Sequence, residues 1–104
     1  MSRFYIYRLK STKCRKMYIG ITTNPRRRLQ QHKQVARHKW KTLTKCGRAV
    51  KRYGAHTFSL VVVTYSTSRH EALKLEKLWI KRIGMKRLWN ENKGGGYGAA
   101  RRNN

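Results

Sequence analysis

The stretch FYIYRLKSTKCRKMYIG, residues 4–20, decides the fold of this chain. It predicts two aromatic-rich strands, Phe4–Leu9 and Met17–Ile21, joined by a longer basic loop rich in Lys, Ser and Thr, which is the pattern of a β-hairpin. Antiparallel pairing would bring Tyr7 close to Tyr18, because neighbouring strands lie about 4.8 Å apart. Two phenols side by side among cations form either a packed aromatic pair or an acid–base site, and the hairpin pattern leaves both interpretations open.

The rest of the sequence predicts helices around one further strand. Helix signals are the Asn24-Pro25 start, apolar residues at helical spacing and a Ser-x-x-Glu capping box. A helix is predicted from Pro25 to Ala36, followed by a basic loop over 37–42. A second helix is predicted along the apolar residues between Leu43 and Tyr53, with Gly54 as its cap. A strand over Thr57–Tyr65 comes next, and then a helix that begins at Ser68 and Glu71 and lasts to about Ile83. This order predicts one α+β domain over residues 1–104, a small sandwich whose three-stranded, mainly antiparallel sheet is flanked by helices.

The charge of the chain indicates its partner. Lys and Arg number 27 against three acidic residues, so the formal net charge is +24. A chain that repels itself so strongly is typical of a protein that binds a polyanion, and the basic residues run through the whole sequence, which favours a nucleic acid over a membrane surface. Two separated cysteines and four scattered histidines match no zinc spacing, and we expect no small-molecule cofactor and an intracellular, cytoplasmic location.

One carboxylate stands out. On a helical wheel Glu76 falls in the middle of the apolar face of the last helix, between Ala72 and Ile80. Burial of a carboxylate costs several kcal/mol unless it is paired or binds a metal, so Glu76 is either half of a salt bridge with an arginine or a metal ligand. Because the other two glutamates are assigned to the capping box and to the tail, Glu76 is the carboxylate placed to hold a cation. A two-metal site, which needs several carboxylates, is excluded.

Arg28 and His32 are spaced to share one face of the first long helix. The alternative is a solvated basic face, and spacing alone does not separate Arg28 from Arg26 and Arg27. The run Gly94-Gly95-Gly96 has the composition of a flexible tail more than that of a phosphate-binding loop.

In combination these residues resemble the GIY-YIG nuclease superfamily, in particular small phage and intron homing endonuclease catalytic domains. The matching residues are, in chain order, Tyr5-Ile6-Tyr7 at the first motif, Lys16, Tyr18-Ile19-Gly20 at the second motif, Arg28, His32, Glu76 and Asn90. The match covers residues 4–98. It departs from the family at Tyr5, which stands where the family has glycine, so that the ring either narrows the site or points to the other face of the sheet.

The resemblance implies a metal-dependent DNA endonuclease that leaves 5′-phosphate and 3′-hydroxyl ends, encoded by a phage or an intron. Glu76 would hold one Mg²⁺ or Mn²⁺ and Arg28 would stabilise the phosphate. Tyr7 is expected to activate the attacking water, with its pKa lowered by neighbouring cations, while Tyr18 orients the water and His32 is the competing base.

The remaining expectations concern the substrate and the assembly. Asn90 joins the catalytic set through the resemblance, and the substrate-binding residues are predicted to be Lys16, Arg27, Lys39 and Lys41. Monomer and homodimer both remain open. The alternatives to a general DNA endonuclease are a non-enzymatic basic protein of nucleic-acid packaging or the ribosome, and a nuclease specific for branched DNA.

Overall fold

The structure, a computed structural model, describes residues 2–91. The strands are β1, Phe4–Ser11, β2, Cys14–Thr22, and β3, Phe58–Ser66, and the helices are α1, Pro25–Val35, α2, Lys45–Tyr53, and α3, Arg69–Ile83. Single turns of 3₁₀-helix lie at Trp40–Thr42, Ala55–Thr57 and Met85–Arg87. The sheet has the order β2-β1-β3 with both pairs antiparallel, which confirms the predicted α+β fold. The glycine run at 94–96 lies outside the described residues.

The hairpin differs from the prediction at its turn. The expected longer loop is wrong, because both strands continue through the polar residues and only two residues separate Ser11 from Cys14. A register shift makes this possible: Lys10 pairs with Met17 whereas Ser11 pairs with Cys14, so two additional residues of β2 bulge out of the ladder. The Ser11 hydroxyl also accepts a hydrogen bond from the Lys13 amide at 3.0 Å and closes the turn.

The sheet separates two apolar clusters, because alternate residues of β1 point to opposite faces. On one face Tyr7 and Leu9 pack with residues of α2. On the other face Ile6 packs with residues of α3. The first cluster contains Tyr7, Leu9, Cys46, Ala49, Val50, Phe58 and Trp89, and the second contains Ile6, Ile19, Ala72, Ile80 and Leu88. The predicted helix–sheet–helix sandwich is therefore correct.

The helix ends follow the sequence signals with one exception. Asn24 caps α1 by accepting from the Arg27 amide at 3.1 Å, and Gly54 ends α2 at a φ of 91°, which favours glycine. At α3 the Ser68 hydroxyl caps the helix as predicted, but the capping box does not close. The Ser68 amide donates to the Ser66 hydroxyl instead, and the Glu71 carboxylate accepts from that hydroxyl at 3.0 Å. Within residues 2–91 no helix is both long and apolar enough to cross a membrane.

Candidate active site

Two phenols meet over a glycine on the face of the sheet that α1 and α2 cover. Gly20 lies directly opposite Tyr7, and Tyr18 is the diagonal neighbour of Tyr7 on the same face. Their ring centroids are 6.2 Å apart, as the hairpin predicted. A Cβ atom on Gly20 would lie 2.6 Å from the Tyr7 hydroxyl and 2.9 Å from the Tyr18 ring. Only glycine therefore leaves room for both phenols in this arrangement.

Helix α1 brings His32 onto the two phenols. The Tyr7 hydroxyl lies 2.8 Å from Nε2 of His32, and the imidazole meets the Tyr18 ring edge-on at a centroid distance of 5.4 Å. Burial, followed by the charge of Arg28, lowers the pKa of His32 to about 4, so the ring is neutral at neutral pH. A neutral ring has one acceptor nitrogen, and we assign Nε2 as the acceptor of the Tyr7 proton.

The other ring nitrogen of His32 faces helix α2. Its Nδ1 lies 3.9 Å from Sγ of Cys46, within reach of a weak N–H···S hydrogen bond. Burial raises the pKa of the Cys46 thiol to about 12, so the sulfur is an uncharged acceptor. Tyr7, His32 and Cys46 thus form a hydrogen-bonded chain across β1, α1 and α2.

The protonation state of Tyr7 corrects one prediction. Cations were expected to lower the pKa of Tyr7, but the side chain is only 1 % exposed. Burial raises its pKa well above the ordinary value, Tyr18 adds to the increase, and the opposing effect of Arg28 is smaller. The phenol is therefore a protonated donor to His32, because the packing of α2 over the sheet leaves little of the side chain exposed.

Arg28 differs from its neighbours in burial. It is half-buried, whereas Arg26 and Arg27 are exposed. The Nε atom of Arg28 is buried and has no hydrogen-bond partner among residues 2–91. The side chain lines a pocket of about 360 Å³ together with Arg69, which begins α3. The pocket is completed by Phe4, Ile21, Thr22, Thr23 and Leu73. Two guanidinium groups and two threonines around one cavity suit a phosphate.

Glu76 lies where the helical wheel placed it. The side chain is 6 % exposed, and its neighbours along the helix face, Ala72 and Ile80, are buried as well. Its charge contributes to the raised pKa of Tyr7, so the carboxylate acts electrostatically on the phenol. Strand alternation places Arg8 on the α3 face of the sheet, and Arg8 is thus a candidate partner in the salt-bridge interpretation of Glu76.

The residues around Glu76 determine which kind of metal ion could bind there. Among residues 2–91 no group of three or more His, Cys, Asp or Glu side chains is arranged to hold an ion. Mg²⁺ commonly keeps several waters and binds through one or two carboxylates plus substrate phosphate, so a single carboxylate fits that ion. The donor set does not fit a structural zinc site, which needs four protein ligands.

Asn90 is buried against the second tyrosine motif. It is 5 % exposed, and its side-chain amide pairs with the backbone of Ile19 through both atoms, at 2.9 Å and 2.7 Å. The Trp89 amide extends this pairing by donating to the Met17 carbonyl at 2.9 Å. The oxygen and the nitrogen of the Asn90 amide both bond to the strand that carries Tyr18, and a catalytic role of Asn90 stays a prediction.

Comparison with known proteins identifies the family of the chain. The family model of the GIY-YIG catalytic domain matches residues 3–92. The chain belongs to the GIY-YIG family. Among solved structures, a mutant form of the catalytic domain of the intron endonuclease I-TevI is similar, with a TM-score of 0.74 and 17 % sequence identity over 88 % of this chain and 95 % of that one. At this identity the similarity concerns the fold. No curated protein matches the chain.

The departure of this GIY-YIG domain at Tyr5 leaves the phenol pair untouched. The ring of Tyr5 packs against Tyr65 on β3 with centroids 6.1 Å apart, whereas Tyr7 packs toward Tyr18 on β2. β2 and β3 are on opposite sides of β1. The extra ring therefore lies on the β3 side of the sheet.

The predicted substrate-binding residues of the GIY-YIG domain are all on the surface but not in one place. Arg27 is on the exposed side of α1, and Lys39 and Lys41 flank the exposed Trp40. Lys16 lines a groove with Trp40 that shares no residue with the pocket at Arg28. Their role in binding DNA stays a prediction.

Two residues of the site were missed from the sequence. Arg69 looked like one of many surface cations, and nothing local marks its approach to Arg28 across the fold. Cys46 was assigned to the apolar face of α2, and its contact with His32 depends on how α1 and α2 cross. The buried face of α2 was the available signal for Cys46, whereas no sequence signal distinguishes Arg69.

Proposed function

We propose that the protein is a divalent-metal-dependent DNA endonuclease that hydrolyses phosphodiester bonds to 5′-phosphate and 3′-hydroxyl ends. Family membership supports a nuclease, and the charge of +24 supports a nucleic-acid substrate. The observation that carries the proposal is the 2.8 Å hydrogen bond between Tyr7 and a neutral His32 beside Arg28. An unprotonated base bonded to a phenol can move a proton, and a cation near both can stabilise charge on a phosphate, which are two needs of phosphodiester hydrolysis.

In this proposal Tyr7 and His32 activate water together. The Tyr7 oxygen accepts a proton from the attacking water while its own proton passes to Nε2 of His32. A free phenolate is never formed, so the raised pKa of Tyr7 is no obstacle to the transfer. The water oxygen then bonds to phosphorus as the bond to the 3′ oxygen breaks, and the leaving oxygen takes up a proton from solvent.

Arg28 has two roles in the same step. Its guanidinium, with a buried Nε that has no partner within residues 2–91, offers charge-assisted hydrogen bonds to the phosphate. The positive charge of Arg28 also helps to lower the pKa of His32 in the free protein. A bound phosphate offsets that charge, so the basicity of His32 increases when the substrate arrives.

Glu76 would hold the one Mg²⁺ or Mn²⁺ ion. A divalent cation at this carboxylate supplies positive charge that stabilises the negative charge developing on the phosphate and the leaving oxygen. Burial of Glu76 against apolar neighbours fixes the position of the carboxylate on α3.

The test is cleavage of supercoiled plasmid with and without Mg²⁺ or Mn²⁺, followed on a gel. We expect metal-dependent nicking or linearisation that His32→Ala removes while plasmid binding persists in a gel-shift assay. The non-enzymatic alternative, which the charge also favours, predicts binding without cleavage in every condition. A four-way junction assayed beside the plasmid distinguishes the branched-DNA alternative, since that enzyme would cut the junction alone.

A further inference from the structure

A second cavity lies on the sheet face that carries the two phenols. This groove has a volume of about 600 Å³ and runs between β2, α2 and the turn at Met85–Arg87. Its lining combines cations with an exposed indole, namely Lys16, Lys45, Arg48, Arg52, Lys86 and Trp40. We call it the aromatic-basic groove. It is separate from the pocket at Arg28, with which it shares no residue.

The charge of the aromatic-basic groove selects an anion. Within residues 2–91, five cations line it and no carboxylate does. The Glu91 carboxylate accepts a hydrogen bond from the Lys45 backbone amide at 2.6 Å but is not part of the lining. Like charges gathered around a cavity repel one another, and a polyanion removes that repulsion. In so basic a chain, a cluster of cations is also typical of a solvated surface. The exposed indole of Trp40 is what distinguishes the groove from such a surface.

Trp40 is presented to solvent on a fixed support. The side chain is 46 % exposed, and the guanidinium of Arg48 lies 5.3 Å from the ring centroid. Arg48 Nε also donates to the Trp40 carbonyl at 3.1 Å. The segment leading to Trp40 is anchored by Lys51, whose Nζ donates to the carbonyls of Ala36 and His38 at 3.2 Å and 2.8 Å. A cation and an indole held together in this way form a platform on which a planar base can stack.

The groove continues the candidate active site along one strand. Cys14 of β2 lines the groove, and both Cys14 and Tyr18 pack against the first cluster, so the groove lies on the face of the sheet that carries the phenols. A DNA strand seated at the phenols would therefore reach the groove along β2, where Lys16 and Trp40 both line it.

We propose that the aromatic-basic groove binds an unpaired segment of the substrate DNA strand next to the scissile phosphate, with its phosphates on the cations and a base stacked on Trp40. In a duplex the bases stack on one another and offer only their edges to a protein, whereas an unpaired base offers its face. The inference rests on the proposed nuclease function, and it adds a preference for DNA that is single-stranded or flapped beside the cut.

The test measures binding separately from cleavage. Fluorescence anisotropy of a labelled single-stranded oligothymidylate is followed in EDTA, where no metal-dependent cleavage occurs. Trp40→Ala should bind about 5- to 150-fold more weakly, which is the range that stacking of a single base is worth, and Trp40→Phe should keep most of the affinity. The matched control is Tyr65→Ala, which removes a ring that is 49 % exposed on β3, and it should bind as wild type does.

A salt titration tests the cations. Lys86→Ala should reduce the slope of log affinity against log salt concentration by about 0.7, the value for one phosphate contact on a single strand. Lys77→Ala changes a lysine of α3 that is also exposed but lies outside the groove, and it should leave the slope unchanged. Circular dichroism and thermal melting check that each variant is folded.

The outcomes separate the two proposals. If Trp40→Ala binds the oligothymidylate with wild-type affinity and still cleaves plasmid, the proposed role of the groove is rejected and the proposed nuclease function stands. Loss of oligothymidylate binding in Trp40→Ala, with no cleavage by any form of the protein, would support the groove as a single-strand site and reject the nuclease. Tighter binding of an oligouridylate than of the oligothymidylate would contradict the assignment to DNA.

Discussion

The hydroxyl of Tyr7 and the Nε2 atom of His32 are hydrogen-bonded at 2.8 Å, although 25 residues separate them in the chain. Burial favours the neutral form of both partners, because it raises the pKa of Tyr7 and lowers the pKa of His32. It keeps the phenol protonated and the imidazole neutral, so the pair carries no charge before substrate arrives. In this state the Tyr7 hydroxyl carries a proton and Nε2 of His32 does not, so the proton can pass from Tyr7 to His32. The predictions on Tyr7 and His32 depend on this state.

Tyr7→Phe removes the proton donor and keeps the ring. The protein should fold with little change, because the phenyl group still packs beneath α2. The single-turnover rate of DNA cleavage should fall by about 10²–10⁴, the usual contribution of a positioned acid or base. A packed aromatic pair without chemical function predicts almost no change, so a near wild-type rate would reject the role of Tyr7.

Glu76→Gln keeps the shape of the side chain and removes its charge. If Glu76 holds the metal, cleavage should be lost while DNA binding stays the same or becomes tighter. If Glu76 is instead half of a buried salt bridge, the substitution should leave an arginine unpaired and destabilise the protein by about 3–5 kcal/mol. A thermal melt run beside the cleavage assay decides, and a strongly lowered Tm would contradict the metal-ligand role.

His32 should make the protein less stable in acid. Its pKa is near 6.5 in the unfolded chain and about 4 in the folded protein. The unfolded state therefore binds more protons between these values, and the free energy of unfolding should fall as the pH decreases from 6.5 to 4, by about 3 kcal/mol in total. Urea unfolding across this pH range measures the loss. His32→Gln should lack this part of the pH dependence, and an unchanged dependence would show that His32 titrates normally.

Cys46 should fix the tautomer of His32. Its sulfur accepts from Nδ1, so Nε2 is left to accept from Tyr7. In Cys46→Ala we expect a mixture of tautomers in the ¹⁵N spectrum of the imidazole and a cleavage rate reduced several-fold. Cys46→Ser restores an acceptor and should restore both readouts. A single, unchanged tautomer in Cys46→Ala would assign Cys46 to packing alone.

Gly20→Ala tests the space shared by the phenols. The new methyl group would meet the Tyr7 hydroxyl and the Tyr18 ring well inside van der Waals distance. Overpacking of this kind costs about 1–3 kcal/mol, which a chemical denaturation curve will show, and the displaced Tyr7 should lose its bond to His32. Gly47→Ala is the comparison, since a Cβ there meets Leu43 at 3.3 Å, which a small shift relieves. Equal cleavage by Gly20→Ala and wild type would contradict the close packing.

Periodicity and motif spacing predicted the elements and the faces that carry Tyr7, His32 and Glu76. These features depend on residues close together in the sequence. The hairpin turn was mispredicted because a bulge in β2 leaves no local signature. The pKa of Tyr7 was mispredicted for a different reason, since its burial depends on the packing of α2, which lies far along the chain.

Contacts between distant segments account for what the sequence could not predict at the site. Spacing alone did not separate Arg28 from Arg26 and Arg27, whereas in the structure Arg28 is the most buried of the three and lines a pocket with Arg69. The cations of the aromatic-basic groove come from three parts of the chain, and no local pattern unites them.

The pairing of Asn90 with Ile19 has a consequence for the synthesis of the protein. The two residues are 71 positions apart, yet the asparagine completes the hydrogen bonding of the strand that carries Tyr18. A nascent chain on the ribosome has already made both tyrosine motifs, α1 and α3 before Asn90 is added. Until Asn90 is made, the amide and carbonyl of Ile19 therefore lack the partner that they have in the folded domain.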